Sequence, residues 1–197
     1  MTVKFERGWD IKHAQSIAKL YDQAFGSKFS HAIPDKAKRV AVLQNCFIPR
    51  YSFVALHNDT PIGIAGFSDG YGALTGGLGI IGLIKHLGLP GGIRAGLLFS
   101  LYERQPDLNG LVMDGIAVQE AYRGQGIGAQ LLDCIVTHAQ RHKYSSVRLD
   151  VIDRNARARK LYEAKGFVAV KTEHFPYLNW LLGFSGSTTM QLNLSPG

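Results

Sequence analysis

This sequence has few cysteines, and its N-terminus lacks an apolar run. Its 197 residues include two cysteines, Cys46 and Cys134, with neither a CxxC pair nor the spacing of metal ligands. This scarcity argues against a disulfide framework and against a cysteine-based metal site. The first ten residues, MTVKFERGWD, have no apolar core of the kind that a signal peptide needs. We therefore expect a cytoplasmic protein that uses no metal.

The composition is that of a folded protein with a moderate excess of positive charge. Hydrophobic residues make up 46% and charged residues 19%, and 22 Lys and Arg against 15 Asp and Glu give a formal net charge of +7. Such an excess suits an anionic partner, although a basic solvated surface explains it equally well. The basic residues are scattered and are not interleaved with aromatic residues in one stretch, so we expect no nucleic-acid partner.

Residues 78–101 are the one stretch apolar enough to suggest a membrane span. Lys85, His86 and Arg94 lie inside it. Pro90-Gly91-Gly92 divides it into two pieces of about ten residues, each too short to cross a bilayer. We therefore predict a helical hairpin and no membrane span. The hairpin either enlarges the core or contacts a second copy of the chain, so a homodimer is one expectation.

Hydrophobic periodicity predicts one α/β domain with a mixed sheet over residues 1–197. Two N-terminal helices are expected, the first from Asp10 to Gly26 and the second beginning at Pro34. Two hairpin strands and a buried strand at 110–118 follow. The remaining elements are a helix at about 127–141, the strand SVRLDVI, a short helix beginning at Asn155, and the strands FVAVKTEHF and TTMQLNL.

A glycine cluster opens the helix predicted at about 127–141. The stretch AYRGQGIGAQLLDCIV places Gly124, Gly126 and Gly128 within five residues. Glycine weakens a helix by roughly 1 kcal/mol per residue relative to alanine, so something must approach this backbone closely. The free N–H groups and the positive dipole end of a helix N-terminus attract phosphate oxygens. The sequence therefore predicts a phosphate site here.

One interpretation of this cluster is a dinucleotide-binding fingerprint. Gly124-x-Gly126-x-x-Ala129 fits the pattern, and Asp150 lies 22 residues beyond Gly128, close to where a ribose-binding carboxylate belongs. However, residues 119–123 separate the strand from the glycines. The 47 residues after Asp150 are also too few to complete a doubly wound sheet. A dinucleotide-binding oxidoreductase is therefore the remote alternative.

The other interpretation is a resemblance to a known family. Arg123-Gly124-Gln125-Gly126-Ile127-Gly128 resembles the (Gln/Arg)-x-x-Gly-x-(Gly/Ala) pyrophosphate loop of the GNAT superfamily of acyl-CoA-dependent N-acyltransferases. Upstream, MDGIAVQEAYRG resembles the fourth strand of that family, and LDVIDRNARARKLYEAKGF at 149–167 resembles its second signature. The resemblance implies a GNAT-like α/β fold with a helical-hairpin insertion at about 70–105, before the fourth strand. It also implies transfer of an acetyl group from acetyl-CoA to a primary amine of a small molecule or a protein.

The resemblance further implies roles for individual residues. The splayed backbone at Ile116, Ala117 and Val118 would pair with the pantetheine amides, and Asn155 would hydrogen-bond the same arm. Residues 123–128 would hold the pyrophosphate. Tyr162 would protonate the CoA sulfur. Asp114 would relay the proton from the amine, although aspartate is shorter than the more usual glutamate.

Each assignment has a simpler structural alternative. Asp114 could instead pair with an arginine, and Asn155 could be a helix N-cap. His174 is an alternative base, and a surface strand histidine otherwise. His138 and His142 have i, i+4 spacing but no third ligand, so we expect a solvated helix face. Four basic residues could either hold the 3′-phosphate of CoA or face solvent: Arg154, Arg157, Arg159 and Lys160.

Two functional questions stay open at this level. A non-catalytic acyl-CoA-binding regulatory module would keep the phosphate loop without turnover, and the presence of Asp114 and Tyr162 favours the enzyme over it. The hairpin at 70–105 could roof an acceptor site instead of only enlarging the core.

Overall fold

The computed structural model describes residues 1–30, 32–100, 109–175 and 184–194. Its helices are α1 (Ala14–Ser30), α2 (Lys36–Cys46), α3 (Ile80–Ser100), α4 (Ile127–Arg141) and α5 (Ala156–Ala164). Its strands are β1 (Lys4–Arg7), β2 (Ser52–His57), β3 (Thr60–Asp69), β4 (Gly72–Ala73), β5 (Gly110–Val118), β6 (Ser146–Ile152), β7 (Val168–His174) and β8 (Gly186–Asn193). Short 3₁₀ turns lie at Ile11–His13, Pro49–Tyr51 and Glu120–Tyr122.

The strands form one mixed sheet, which confirms the predicted α/β class. The strand order is β1-β2-β3-β5-β6-β8-β7, with β4 paired beside β3. Strands β5 and β6 run parallel, whereas the other described pairs are antiparallel. The doubly wound parallel sheet that the dinucleotide alternative requires is therefore not the sheet of this chain.

Helices cover both faces of the central strands. A Cβ built on Gly63 of β3 would lie 3.0 Å from Leu131 of α4, whereas one built on Gly115 of β5 would lie 2.6 Å from Phe25 of α1. Strand β3 is buried at seven successive positions, as a strand covered on both faces should be. We call these two surfaces the α4 face and the α1 face.

The N-terminal helices differ in their bounds from the prediction. Helix α1 continues through Gly26 to Ser30, and Gly26 lies within it against the side chain of Asp22 in the preceding turn. Helix α2 begins not at Pro34 but at Lys36, after the N-cap Asp35, whose carboxylate accepts a 2.9 Å hydrogen bond from the amide of Lys38. Strands β1 and β4 were not predicted, because four and two residues are too few to show a period.

Helix α3 is the predicted hairpin, but its turn lies earlier than the sequence indicated. The break is at Gly88, which has φ +74° and ψ 168°, and not at residues 90–92. Pro90 instead falls in the first turn of the second half, where its fixed φ is tolerated. The two halves fold back on each other closely, because a Cβ built on Gly92 would lie 2.5 Å from Cα of Ile84.

The hairpin packs against the first two helices through a second hydrophobic cluster. Leu83 and Ala95 of α3 meet Val42 of α2 and the residues Ala32 and Ile33 between α1 and α2. This contact supports the interpretation that the hairpin enlarges the core, and the roof over an acceptor site stays a prediction. Within the described ranges, no helix combines the length and the apolarity that crossing a membrane would take.

Candidate active site

A gap between the two parallel strands is the central feature of the site. Strands β5 and β6 pair only where Gly110–Val112 meet Ser146–Arg148. Beyond Val112, β5 continues along β3 as far as Val118, and β6 continues along β8 as far as Ile152. The strands therefore part, and residues 113–118 turn one backbone edge toward the gap. Such an edge can hydrogen-bond an extended ligand as an added strand would.

A β-bulge places Asp114 beside this gap. Gly115 pairs with Gly66 and Met113 pairs with Phe67, so Asp114 is the extra residue of β5. Gly115 has φ +149° and lies against the ring of Phe25, so a side chain would be strained and crowded there. The half-buried Asp114 carboxylate lies on the α1 face, with Oδ2 3.5 Å from a Cβ built on Gly66.

The glycine cluster forms the N-terminus of α4 on the opposite face. Gly124 and Gly126 have φ of +84° and +79°, and Gly126 is the N-cap without a capping side chain. The first amide N–H groups of α4 are therefore free of intrahelical partners and available to an anion. A Cβ built on Gly128 would lie 3.8 Å from Ile116 and 3.9 Å from Val118. The helix N-terminus thus adjoins the β5 edge of the gap.

The side chains of this loop brace its backbone. Nε of Arg123 donates a 3.1 Å hydrogen bond to the carbonyl of Val118, and Nε2 of Gln125 donates one of 3.2 Å to that of Ala121. Ile127 is only 2% exposed and anchors α4 in the main core. Ligand binding by residues 124–128 would therefore use main-chain groups.

Helix α5 brings one further cation to the loop. Nη2 of Arg157 lies 3.7 Å from a Cβ built on Gly124. Arg159, by contrast, donates a 2.9 Å hydrogen bond to Glu163 one turn away. Of the four basic residues that the sequence offered as phosphate ligands, Arg157 is thus the one that the structure positions at the glycines.

Asn155 and Tyr162 occupy the same short helix, as predicted. Asn155 is the N-cap of α5, and its Oδ1 accepts a 3.1 Å hydrogen bond from the amide of Ala158. Tyr162 is 7% exposed, with its ring centre 6.0 Å from that of Phe167. Burial raises the pKa of the Tyr162 phenol to about 12. The phenol therefore keeps its proton at neutral pH and can act as a donor.

The histidines lie away from this arrangement. His174 is exposed at the end of β7, and two strands, β8 and β6, stand between β7 and β5. The prediction that both side chains face solvent is confirmed for His142, which is exposed. It is wrong for His138, which is buried with its ring 5.1 Å from that of Phe67. Desolvation lowers the pKa of His138 to about 4. Over the described ranges, no three His, Cys, Asp or Glu side chains are grouped so that they could hold a metal ion.

A groove of about 1040 Å³ adjoins the site, and the sequence analysis did not find it. Its walls are α1, the start of α2, and the residues Gln119, Glu120, Ala121 and Arg123 after β5. The signal that could have revealed one wall is a polar stripe on α1 with helical spacing, Ser16, Lys19, Gln23, Ser27 and Ser30. The contact of Phe25 with Gly115, the residue after Asp114, was also missed, since only the fold brings α1 to the bulge.

Comparisons with known proteins identify the family of this chain. Residues 14–167 match the model of the acetyltransferase (GNAT) family. The yeast (Saccharomyces cerevisiae) protein N-alpha-acetyltransferase 30 is 34% identical over 64 residues, which are 32% of this chain and 36% of the yeast protein. The chain thus spans only about a third of that relative.

Two solved structures share the fold. The ribosomal-protein-S18-alanine N-acetyltransferase from Escherichia coli has a TM-score of 0.60 at 18% identity, covering 100% of this chain and 96% of that one. The yncA protein of Salmonella typhimurium, solved with its cofactor acetyl-CoA, has a TM-score of 0.63 at 18% identity with the same coverage. These likenesses confirm the predicted fold.

Proposed function

The chain belongs to the acetyltransferase (GNAT) family, and from that premise we propose that it transfers an acetyl group from acetyl-CoA to a primary amine. The observation that carries the proposal is the parting of β5 from β6 beside the glycine N-terminus of α4. The free edge of a strand can hydrogen-bond an extended pantetheine arm, and the helix N-terminus beside it can bind a diphosphate.

The residues at the gap fit acetyl-CoA as a co-substrate. The main chain of residues 116–118 would pair with the pantetheine amides, and Asn155 would donate a hydrogen bond from its side-chain nitrogen, since its oxygen caps α5. The amides of 124–128 would receive the diphosphate. Arg157 adds a guanidinium at the same loop and would bind a phosphate oxygen.

Asp114 and Tyr162 supply the two proton functions of the reaction. An amine with a pKa near 10.4 is less than about 0.1% neutral at pH 7, so its deprotonation needs help. Asp114 accepts the proton of the attacking amine, directly or through water. The nitrogen then bonds to the thioester carbon, the C–S bond breaks, and CoA leaves as a thiolate. The Tyr162 hydroxyl donates a hydrogen bond to that sulfur, and the thiolate takes up the second proton, which the nitrogen loses as the amide forms.

A peptide N-terminal amine is the acceptor that we propose. Two of the proteins that this chain resembles are named an N-alpha-acetyltransferase and a ribosomal-protein-S18-alanine N-acetyltransferase. A small-molecule amine is the competing acceptor. Incubation with acetyl-CoA and a panel of peptides and small amines, followed by mass spectrometry of the products, distinguishes them. Peptides acetylated on the α-amine are expected, and acetylation confined to small amines would refute the peptide assignment.

Cofactor binding can be tested apart from catalysis. CoA at about 100 times its Kd should raise the melting temperature by about 5–10 °C, and NAD should not. Gly126→Val should abolish the shift. Gly88→Val is the matched control, because Gly88 has a similar φ of +74° and open surroundings but lies in the hairpin. A shift that survives in Gly126→Val, or one produced by NAD alone, would contradict the proposed loop.

The non-catalytic alternative predicts a different pattern. A regulatory module would show the same thermal shift but would release no CoA in the presence of amines. Release of CoA that depends on an amine, followed with a thiol reagent, therefore decides between the two functions.

The proposal extends to location and assembly. A cytoplasmic location is supported by the free thiols of Cys46 and Cys134. A homodimer is supported by the exposed apolar side chains on α3, Ile81, Leu89 and Ile93. Fractionation of cells that express the chain and light scattering of the purified protein test these two points. Recovery outside the cytoplasm, or a monomeric mass at all concentrations, would count against them.

A further inference from the structure

Strand β7 is the last strand at one end of the sheet, and its outer edge is open to solvent. Among the described strands, β7 pairs with β8 alone. All seven of its residues are exposed, and the exposed fractions of Val168 and Val170 are 57% and 54%. An open edge of this kind presents backbone N–H and C=O groups with which a further strand can pair.

The hydrogen bonds to β8 show which backbone groups of β7 point toward the open edge. The amide of Phe175 donates a 2.8 Å hydrogen bond to the main chain directly before β8. In an antiparallel pair, residues bonded to the neighbouring strand alternate with residues whose backbone groups point the other way. Lys171 and Glu173 therefore direct their backbone groups to β8. The N–H and C=O groups of Thr172 and His174 point outward.

The bonds on the other side of β8 give the same alternation. The carbonyl of Gly186, which lies opposite His174, accepts a 3.0 Å hydrogen bond from the amide of Asp153, directly after β6. This carbonyl is thus turned away from β7, as the alternation requires. A bulge at Val170 interrupts the ladder. The regular part of the open edge therefore consists of residues 171–174.

The charged side chains of this edge are self-complementary. Lys171 and Glu173 lie on one face of β7, and Nζ of the lysine is 2.8 Å from Oε1 of the glutamate. Thr172 stands between them. When two copies of the strand pair antiparallel about Thr172, Lys171 of each copy lies opposite Glu173 of the other. Opposite charges in directly facing positions stabilise a strand pair.

Charge also distinguishes this register from the other two-fold pairings of the edge. A pairing centred on Lys171 or on Glu173 would place two equal charges opposite each other. A pairing centred on His174 would place Glu173 opposite Phe175 and would overlap fewer residues of β7. The pairing centred on Thr172 joins outward-pointing backbone groups of both copies and matches both charges.

We propose that two copies of this chain pair along β7, antiparallel and centred on Thr172, and so join their sheets into one. The inference rests on the proposed homodimer and names its contact, for which the exposed apolar side chains of α3 are the competitor. Because the paired segment is short and its ion pairs are exposed, the dimer is expected to be reversible and to weaken with salt.

Sedimentation equilibrium of charge variants tests the contact. Lys171→Glu and Glu173→Lys should each raise the Kd of the dimer about 10-fold or more at low salt, because each places like charges opposite each other. An equimolar mixture of the two variants should form a heterodimer, and Lys171→Glu/Glu173→Lys should restore the homodimer. Glu6→Lys is the matched control, because Lys4 and Glu6 form the corresponding ion pair on β1, at the other end of the sheet. It should leave the Kd unchanged.

Oxidative cross-linking tests the register. Thr172→Cys should form a disulfide between the copies, because Cα atoms of a directly hydrogen-bonded pair lie about 5.5 Å apart. His174→Cys should not, because four residues of strand separate the two positions by roughly 14 Å. The unaltered chain, with Cys46 and Cys134, gives the background of the assay.

The outcomes separate the contact from the other proposals. A dimer that Lys171→Glu and Glu173→Lys leave intact, or a stronger cross-link at residue 174 than at residue 172, would overturn the inference. Dissociation by Ile81→Ser but not by the β7 variants would assign the contact to α3 and overturn it too. A monomeric mass of the unaltered chain would refute the homodimer together with its contact. Amine-dependent release of CoA tests acetyltransfer separately, because sedimentation does not depend on turnover.

Discussion

Replacing Tyr162 with phenylalanine isolates the proposed proton donor with little disturbance of the fold. The Tyr162 ring is 7% exposed and packs near Phe167 in the main core. Phenylalanine fills the same volume, so the variant keeps the packing and loses one oxygen atom. Any large change in rate can then be assigned to the hydroxyl group.

The raised pKa sets the size of the expected effect. With a pKa of about 12, the phenol is protonated throughout the neutral range. Complete proton transfer to a thiolate of ordinary pKa, near 8.5, would be unfavourable by roughly 5 kcal/mol. We therefore expect Tyr162 to stabilise the departing sulfur mainly through a hydrogen bond. Loss of one such preorganised donor costs about 10²–10³ in kcat, or roughly 3–4 kcal/mol.

Single-turnover release of CoA, with both substrates saturating, measures this step free of product release. Tyr162→Phe should lower the rate about 10²–10³-fold and leave the KM for acetyl-CoA unchanged. The wild-type rate should not fall on the alkaline side below about pH 10, because the phenol stays protonated there.

Tyr144→Phe provides the control for this variant. The pKa of the Tyr144 hydroxyl is also raised to about 12. This hydroxyl lies outside the gap and donates a 3.0 Å hydrogen bond to Asp69. Its removal should leave the single-turnover rate unchanged. A wild-type rate in Tyr162→Phe, or an equal loss in the two variants, would refute the assignment.

Three further predictions follow from the other groups of the site and the core. Asp114→Asn should lower kcat most below the pKa of the acceptor amine and least at high pH, and a deficit that does not vary with pH would indicate a structural role. Arg157→Ala should raise the KM for acetyl-CoA about 10-fold, as loss of a charge-assisted hydrogen bond would, whereas Arg159→Ala should not. Equal effects of the two changes would refute the selective role of Arg157. Burial holds the pKa of His138 at about 4 against 6.5 when unfolded, so the unfolded chain binds more protons and stability falls as pH drops from 6.5 toward 4. By pH 4.5 the free energy of unfolding, measured with urea, should be lower by about 2–3 kcal/mol. An unchanged pH dependence of that free energy in His138→Phe would contradict this prediction.

Much of the local structure on the proposed cofactor side of the site could be predicted from the sequence. The glycines at 124–128 and the apolar residues after them specify a helix N-terminus, and Asn155 and Tyr162 share one short helix through their spacing. These features depend on backbone dihedral angles and on neighbours within two turns. Local interactions of that range are visible in a single chain segment. The hairpin in 78–101 could likewise be predicted from local sequence, although its turn lies at Gly88 and not at residues 90–92.

The acceptor side was decided by contacts between distant segments. The bulge at Asp114 packs against Phe25 of α1 through Gly115, and the gap arises because β6 follows β8 and not β5. His138 became a buried group because β2 and β3 supply the rings around it. The groove likewise needs α1, α2 and the end of β5 side by side. No single segment carries these features, because each arises only when the packing of the sheet and the helices sets the burial and the charge around a side chain.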